Sequence, residues 1–231
     1  MTYKTLSILI PAYNEEKTIA ELIAKVQAVS IPLEKEVIVI DNNSKDRTGE
    51  VAGAIPGVRV VKETTPGKGA ALKCGIKEAS GDIMIFQDAD LEYDPEDYPA
   101  MIAPILAGET TAVLGVRIGD RHPDLYIYYL GFIANSIITL TTNLLFFRLA
   151  GEYEGCYKAF TKETIRSVNI TTADFDFDNE LVCKLYRKGI RMKDVPIRYY
   201  PRDYAAGKKI KAKHFFIIMW TIVKCRFMAK P

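Results

Sequence analysis

Between Ile85 and Asp97 the chain reads IFQDADLEYDPED, six carboxylates in thirteen residues, directly after the apolar run GDIMIF. Asp88 and Asp90 are separated by Ala89 alone. In an extended chain residues i and i+2 face the same side. Two carboxylates so placed repel unless a cation or a hydrogen-bonding partner sits between them. The window alone leaves two readings open. One is a cation-binding pair at the end of a buried strand. The other is a strand running into a solvated acidic turn, with Asp94 and Pro95 starting a helix.

The elements that would position the pair narrow the choice. LSILI (6–10), EVIVI (36–40), VRVV (58–61), DIMIF (82–86) and TAVLG (111–115) read as short buried strands. Helical patterns run between them. NEEKTIAELIAKVQAV has Asn14 as N-cap, Glu15 and Glu16 at its positive end, and an apolar stripe of Ile19, Leu22, Ile23 and Val26. DNNSKDRT opens a second helix, and GKGAALKCGIKEA (67–79) is a third with a glycine-rich start. Alternating β and α predicts an α/β fold: a Rossmann-like, mostly parallel central sheet flanked by helices. Ligands of such sheets bind beyond the carboxyl ends of the strands. The segments expected there are PAYNE (11–15), DNNS (41–44), GKG (67–69) and DAD (88–90). Together they predict one polar site along one edge of the sheet.

Composition bounds the rest. A chain of 231 residues can bury one sizeable core, so one large domain is expected. Cys74, Cys156, Cys183 and Cys225 form no CxxC pair, and His122 and His214 are the only histidines. Neither a disulfide framework nor a zinc or histidine metal centre is indicated, and a reducing, cytoplasmic setting fits. The first residues lack the layout of a signal peptide. The net charge of +2 hides an asymmetry: residues 184–231 carry fourteen Lys and Arg against two acids, a local +12, leaving −10 for residues 1–183. Such a basic section calls for an anionic partner: phosphate, nucleic acid or a membrane surface. No nucleic-acid reader motif accompanies it, so nucleic acid is not expected.

LYIYYLGFIANSIITLTTNLLFF (125–147) has no charge over 23 residues, long enough to span a bilayer. It also holds Asn135, Ser136, Thr139, Thr141, Thr142 and Asn143. One or two helices, partly buried and partly in the membrane interface, are the better expectation. HFFIIMWTIVKCRF (214–227), with Lys211, Lys213, Lys224 and Arg226 at its ends, reads as an interfacial segment or as a core helix with basic ends.

SILIPAYNEEKTI, VIVIDNNSKDRT, GKGAAL, FQDADLEYDPE, GCYKAF and VPIRYYPRDYAAGKKI follow one another along essentially the whole chain. In that combination and order they resemble family 2 glycosyltransferases of the GT-A fold, and among them the polyprenyl-phosphate (dolichol-phosphate) mannose and hexose synthases. The resemblance implies a single GT-A domain over 1–231. Residues 1–115 would bind the nucleotide sugar, and 116–231 the acceptor through C-terminal amphipathic, interfacial helices. It implies that Pro11, Tyr13 and Glu15 line the nucleoside pocket and that Asp41 accepts hydrogen bonds from the base. Helix capping accounts for Asp41 and Ser44 as well. Lys68 would stand near a phosphate. Asp88, Ala89 and Asp90 match the family's DxD motif, which holds the donor diphosphate through Mg²⁺ or Mn²⁺, with Glu92 as a third ligand. A cation there acts as a Lewis acid toward the departing nucleoside diphosphate.

The implied acceptor is a polyprenyl or dolichyl phosphate. It is already anionic, so it needs positioning and charge screening and no base. Arg117 and Arg202, with Asp90, would be catalytic. The acceptor would meet Arg117, Glu152, Arg202 and Lys208, the last beside Lys209 in a loop that Gly207 frees to close. Two positions depart from the family pattern. Glu152 stands where Asp is expected, and either it or Glu154 could approach the acceptor or orient an arginine. The arginine that many dolichol-phosphate mannose synthases place before this segment is missing, with Tyr128, Tyr129 and Asn135 in that neighbourhood. FDFDNE (175–180) could supply acceptor-side acids, or cap a helix through Asp178 with Glu180 in its first turn. GDP-mannose is the first donor expected and UDP-glucose the second, with a glycan hydroxyl as the alternative acceptor. A sugar-nucleotide pyrophosphorylase is disfavoured, because PAYNEE replaces the glycine-rich basic signature after its first strand. Peripheral attachment to the cytoplasmic face of a membrane, alone or through a membrane-protein partner, completes the expectation.

Overall fold

The computed structural model describes residues 3–118, 126–200 and 212–228. Its sheet has seven strands in the order β3-β2-β1-β4-β6-β5-β7. β1 (Thr5–Ala12), β2 (Glu34–Asp41), β3 (Val58–Lys62) and β4 (Ile83–Phe86) run parallel. β6 (Lys158–Thr161) is antiparallel to β4 on one side and to β5 (Ala112–Ile118) on the other. β5 pairs in parallel with β7 (Lys193–Arg198) at the far edge. β5 therefore touches the first four strands only through β6.

Strands covered on both faces have no polar side to show, and β4 is buried at every position. The edge strand β7 shows the opposite pattern, with Val195 and Ile197 inward and Pro196 and Arg198 exposed. Helices α1 (Ile19–Ala28), α2 (Thr48–Gly53), α3 (Lys68–Glu78), α4 (Tyr98–Leu106) and α6 (Lys162–Arg166) join α5 (Tyr126–Phe146), α7 (Phe177–Arg187) and α8 (Ala212–Phe227) around the sheet. The stripe Ile19, Leu22, Ile23 and Val26 is buried as expected. Asp94 accepts the Glu96 N–H at 3.0 Å and caps a 3-10 turn (Pro95–Asp97) leading into α4.

Two capping expectations are corrected. α1 begins at Ile19. Asn14 instead adopts a left-handed backbone (φ 54°), and its side chain accepts the Lys45 N–H at 2.8 Å. It ties two loops together rather than starting a helix, and the Thr18 and Ile19 N–H groups go to the Glu15 carbonyl. Asp178 likewise lies inside the first turn of α7, after Asp176. Its carboxylate is drawn away by a lysine described below.

A second, smaller core lies between α5, α7 and α8, built on Ile138, Phe146, Tyr153, Val182, Tyr186, Ile218 and Ile222. Within the 125–147 segment the described residues form one helix, α5, with a buried face. No described helix is long and apolar enough to cross a membrane.

Candidate active site

β1, β2 and β3 are laid down outward on one side of β1, and the chain then crosses to place β4 on the other. The strand order reverses between β1 and β4, and a crevice opens outside their carboxyl ends, where such sheets bind ligands. β6 runs the other way, so its first residue, Lys158, arrives at the same edge. Parallel strands deliver the loops after Ala12, Asp41 and Phe86, and the antiparallel strand delivers the loop before Lys158.

On the nucleotide side, Asp41 is buried and its carboxylate accepts the Ser44 N–H at 3.1 Å. It braces a turn and does not cap α2, whose start is held by Asp46 accepting the Thr48 N–H at 3.0 Å. The Thr18 hydroxyl lies 2.8 Å from the Ala89 carbonyl and 3.0 Å from a Glu15 carboxylate oxygen, joining the β1 loop to the acidic turn. Pro11 lies opposite Ile40 one residue before the end of β1, and Tyr13, just past that end, is exposed. Asn42 donates to the Thr65 carbonyl at 2.7 Å and accepts the Gly67 N–H at 2.9 Å, fixing the loop before α3. Gly67 has φ 119°, and a Cβ there would sit 2.1 Å from the Ala173 carbonyl. This close approach seats the start of α3 on the loop before α7. Lys68, the first residue of α3, then reaches Asp88, its Nζ 2.7 Å from Oδ1.

The acidic turn differs from the extended geometry that its spacing suggests. β4 ends at Phe86, and Leu91 takes a left-handed conformation (φ 64°). Ala89 and Asp90 form a turn directly after Asp88, so strand alternation no longer sets the directions of the two carboxylates. Asp90 Oδ1 accepts the Glu92 N–H at 3.2 Å. Gln87, fully buried, holds the turn to the sheet. Its N–H donates to the Leu9 carbonyl at 3.0 Å and its side chain to the Asp88 carbonyl at 3.0 Å. Its amide oxygen accepts the hydroxyls of Tyr98 and Tyr157, each at 2.6 Å. Burial alone would raise the Asp88 pKa, but the Lys68 ammonium holds it below the ordinary carboxylate range.

On the far side, Arg117 and Glu152 form an ion pair, and the Asn135 amide donates to Glu152 at 2.6 Å. Burial opposes ionisation of Glu152, yet Arg117 and Asn135 keep its pKa low. Glu152 therefore orients the arginine. The Arg117 guanidinium sits 4.7 Å over the Tyr199 ring, whose hydroxyl donates to Glu92 at 3.0 Å. A continuous run of contacts thus joins Asn135 on α5 to the acidic turn. Glu154, two residues from Glu152, has the opposite tendency: burial pushes its pKa up. Fully buried Lys158 donates to the Gly155 carbonyl and lies 2.8 Å from Asp178 Oδ1. Burial pushes the neighbouring Cys156 thiol up as well.

The residues fit a hard divalent cation in part. Asp88 already holds a cationic group in the Lys68 ammonium, and Asp88 and Asp90 offer the oxygen donors such ions take together with substrate phosphates. Among the described residues no three His, Cys, Asp or Glu groups converge as a ligand set, and Glu92 is engaged by Tyr199. Arg202, Gly207, Lys208 and Lys209 lie outside the described residues, as do the side chains of Tyr128 and Tyr129. Gln87, Lys158, Asn179 and Tyr199 lie within FQDADLEYDPE, GCYKAF, FDFDNE and VPIRYYPRDYAAGKKI, but the sequence assigns none of them a role of its own. A lysine opening a short apolar run, as in KAF, was the only visible signal among them.

Comparison with known proteins agrees with this architecture. The family described as glycosyl transferase family 2 matches residues 7–168. The dolichol-phosphate mannosyltransferase of Pyrococcus furiosus is 29% identical over 217 residues, covering 91% of this chain and 60% of the relative. The low-salt glycan biosynthesis hexosyltransferase Agl6 of Haloferax volcanii is 27% identical over 206 residues, covering 88% of this chain and 49% of the relative. The chain thus spans about half to two-thirds of the curated relatives it first matches. Among solved structures, glucosyl-3-phosphoglycerate synthase from Mycobacterium tuberculosis, with Mn²⁺, uridine diphosphate and phosphoglyceric acid, superposes with a TM-score of 0.77. It is 22% identical, with 98% of this chain and 80% of that one covered, a likeness of fold. The mostly parallel sheet with flanking helices is the GT-A fold. The matched region runs from β1 past α6 and takes in the switch-point crevice, the acidic turn and Lys158; the chain belongs to glycosyl transferase family 2.

Proposed function

We propose that this glycosyltransferase moves a hexose, mannose first and glucose second, from a nucleoside diphosphate to a polyprenyl phosphate with inversion. An acceptor phosphate oxygen attacks the anomeric carbon. The bond from that carbon to the diphosphate breaks, and its electron pair leaves with the nucleoside diphosphate. Asp88 and Asp90 would hold Mg²⁺ or Mn²⁺, which supplies charge neutralisation for the departing diphosphate. Lys68 adds a cation beside Asp88, and Pro11, Tyr13, Glu15 and Asp41 surround the nucleoside. Arg117, held by Glu152, would meet the incoming phosphate, and Arg202 and Lys208 would add charge for it.

The observation that carries the acceptor is the state of Glu152. Its carboxylate is tied to Arg117 and Asn135 and kept ionised, which suits an orienting group and leaves it a weak base. An acceptor that needs no deprotonation fits such a site. A glycan hydroxyl is the second reading, favoured by Glu154, whose raised pKa is that of a better base. The exposed apolar faces of α5 and α8 support attachment to the cytoplasmic face of a membrane, alone or with a membrane-protein partner.

The test is transfer of labelled sugar from GDP-mannose and UDP-glucose into the organic phase, with polyprenyl phosphate and Mn²⁺. Label is expected there and is expected to fall by about a hundredfold or more in Asp90→Asn. Label confined to the aqueous phase, with donor still bound, would select the hydroxyl acceptor.

A further inference from the structure

The start of α7 and the residues before β6 enclose a group of hydrogen-bond acceptors that the transfer reading leaves without a task. Asn179 is 1% exposed, and its side-chain N–H donates to Glu154 Oε1 at 2.8 Å. With the amide N–H on Glu154, the buried Oδ1 of Asn179 has no hydrogen-bond partner. Buried polar atoms are almost always paired, so an orphan acceptor needs an explanation. Asp178 Oδ1 is also buried without a hydrogen bond, although Lys158 stands close enough for an ion pair. The side chain of Asp178 remains 14% exposed, and Glu154 is half-buried, so the group opens outward.

Its place in the site is set by the segments that carry it. On the donor side, a Cβ on Gly69, the residue after Lys68, would lie 2.7 Å from the Cβ of Phe177, the residue before Asp178. On the acceptor side, Glu154 follows Glu152 by two residues, and Lys158 links the Gly155 carbonyl to Asp178. The group therefore borders both the donor side, marked by Asp88 and Lys68, and the acceptor side, marked by Arg117 and Glu152. In an in-line transfer the moving sugar passes between those two sides. Sugar hydroxyls bring O–H donors, which carboxylate and amide oxygens accept.

Resting on the transfer reading above, we propose that Glu154, Asp178 and Asn179 form the subsite for the hydroxyls of the transferred hexose and set which hexose is accepted. Lys158 is the positioning residue of the subsite. Buried between the Gly155 carbonyl and Asp178, it keeps the two acids from repelling each other out of place.

The test compares the calorimetric affinities of UDP and GDP with those of UDP-glucose and GDP-mannose, with Mn²⁺ present. The proteins are the wild type, Asn179→Leu and Glu154→Met, near-isosteric changes on two different segments. Each variant is expected to weaken the preferred hexose ester by about tenfold while the free diphosphate binds within about twofold of wild type. Unchanged diphosphate binding also shows that the variant is folded, and the second variant gives the same readout if α7 rejects leucine. Variants that weaken ester and diphosphate equally, or neither, overturn the subsite and leave the transfer reading standing. Unchanged ester affinity with lost turnover in Glu154→Met would make that residue a base instead. A wild type that binds no nucleoside diphosphate overturns both.

Discussion

Glu180 shows how local bonding decides the state of a carboxyl. It accepts the Thr171 and Thr172 N–H groups at 2.9 and 2.7 Å and the Thr171 hydroxyl at 2.8 Å, with the Lys184 ammonium at 2.7 Å. Burial opposes ionisation, but these donors hold its pKa down at about 2. Its folded pKa is below its unfolded value of about 4.3. The stabilisation is therefore complete above the unfolded pKa and is lost as pH falls through the folded one. Glu180→Gln is expected to cost about 2–3 kcal/mol at pH 7, a drop in Tm of about 5–10 °C. In melting curves taken down to pH 2, the gap between variant and wild type should start to close near pH 4 and vanish near pH 2. A gap independent of pH would show that packing, not charge, is lost. Glu152 and Glu154 make the same point inside the site. They are two residues apart, and the arginine beside Glu152 and the burial of Glu154 drive their pKa values in opposite directions.

The elements meet at the site through close backbone packing. α3 begins so near the loop before α7 that a Cβ on Gly69 would lie 2.7 Å from the Phe177 Cβ and 2.8 Å from the Ala173 carbonyl carbon. Gly69→Ala should push the two apart, cost about 1–3 kcal/mol, and draw Lys68 away from Asp88. A lower Tm together with weaker donor binding is the expected result. A lower Tm with wild-type donor binding would show that the start of α3 does not position the site. Much of this frame is legible in the sequence, because buried parallel strands read as continuous apolar runs. β1 to β5 were found for that reason, each extended by one or more residues except β4. β6 was hidden because four residues opening with a lysine give no periodicity, and β7 because Pro196 interrupts it, as an edge strand allows. The acidic turn was legible as a site but not in its shape, since the left-handed Leu91 carries no glycine to announce it. Gln87 and Asn179 could not have been found, because their roles depend on tyrosine hydroxyls and a carboxylate far away in the chain.

At the scale of the molecule, α5 and α8 expose Ile133, Ile137, Leu140, Leu144, Phe216 and Trp220 on their outer faces, with Phe147 beyond the end of α5. The α5 residues recur at helical spacing, on the side away from the smaller core, and Arg226 stacks over Phe146 and Phe147. With the strongly basic last third of the chain, this surface suits an anionic membrane. Co-sedimentation with phosphatidylglycerol vesicles should be strong at low salt, weaken with added salt, and drop sharply in Trp220→Glu/Leu144→Glu. Indifference to vesicles at low salt would refute membrane attachment. The sheet also has a consequence for how the chain folds. β4 and β5 do not pair with each other; β6, leaving the ribosome later than both, is the strand between them. A nascent chain stopped before Thr161 already carries the acidic turn, yet β4 presents an open edge that can pair with another chain. When β6 slides in, it closes that edge and carries Lys158 to the crevice in the same movement. Covering the open edge and delivering Lys158 are thus one event.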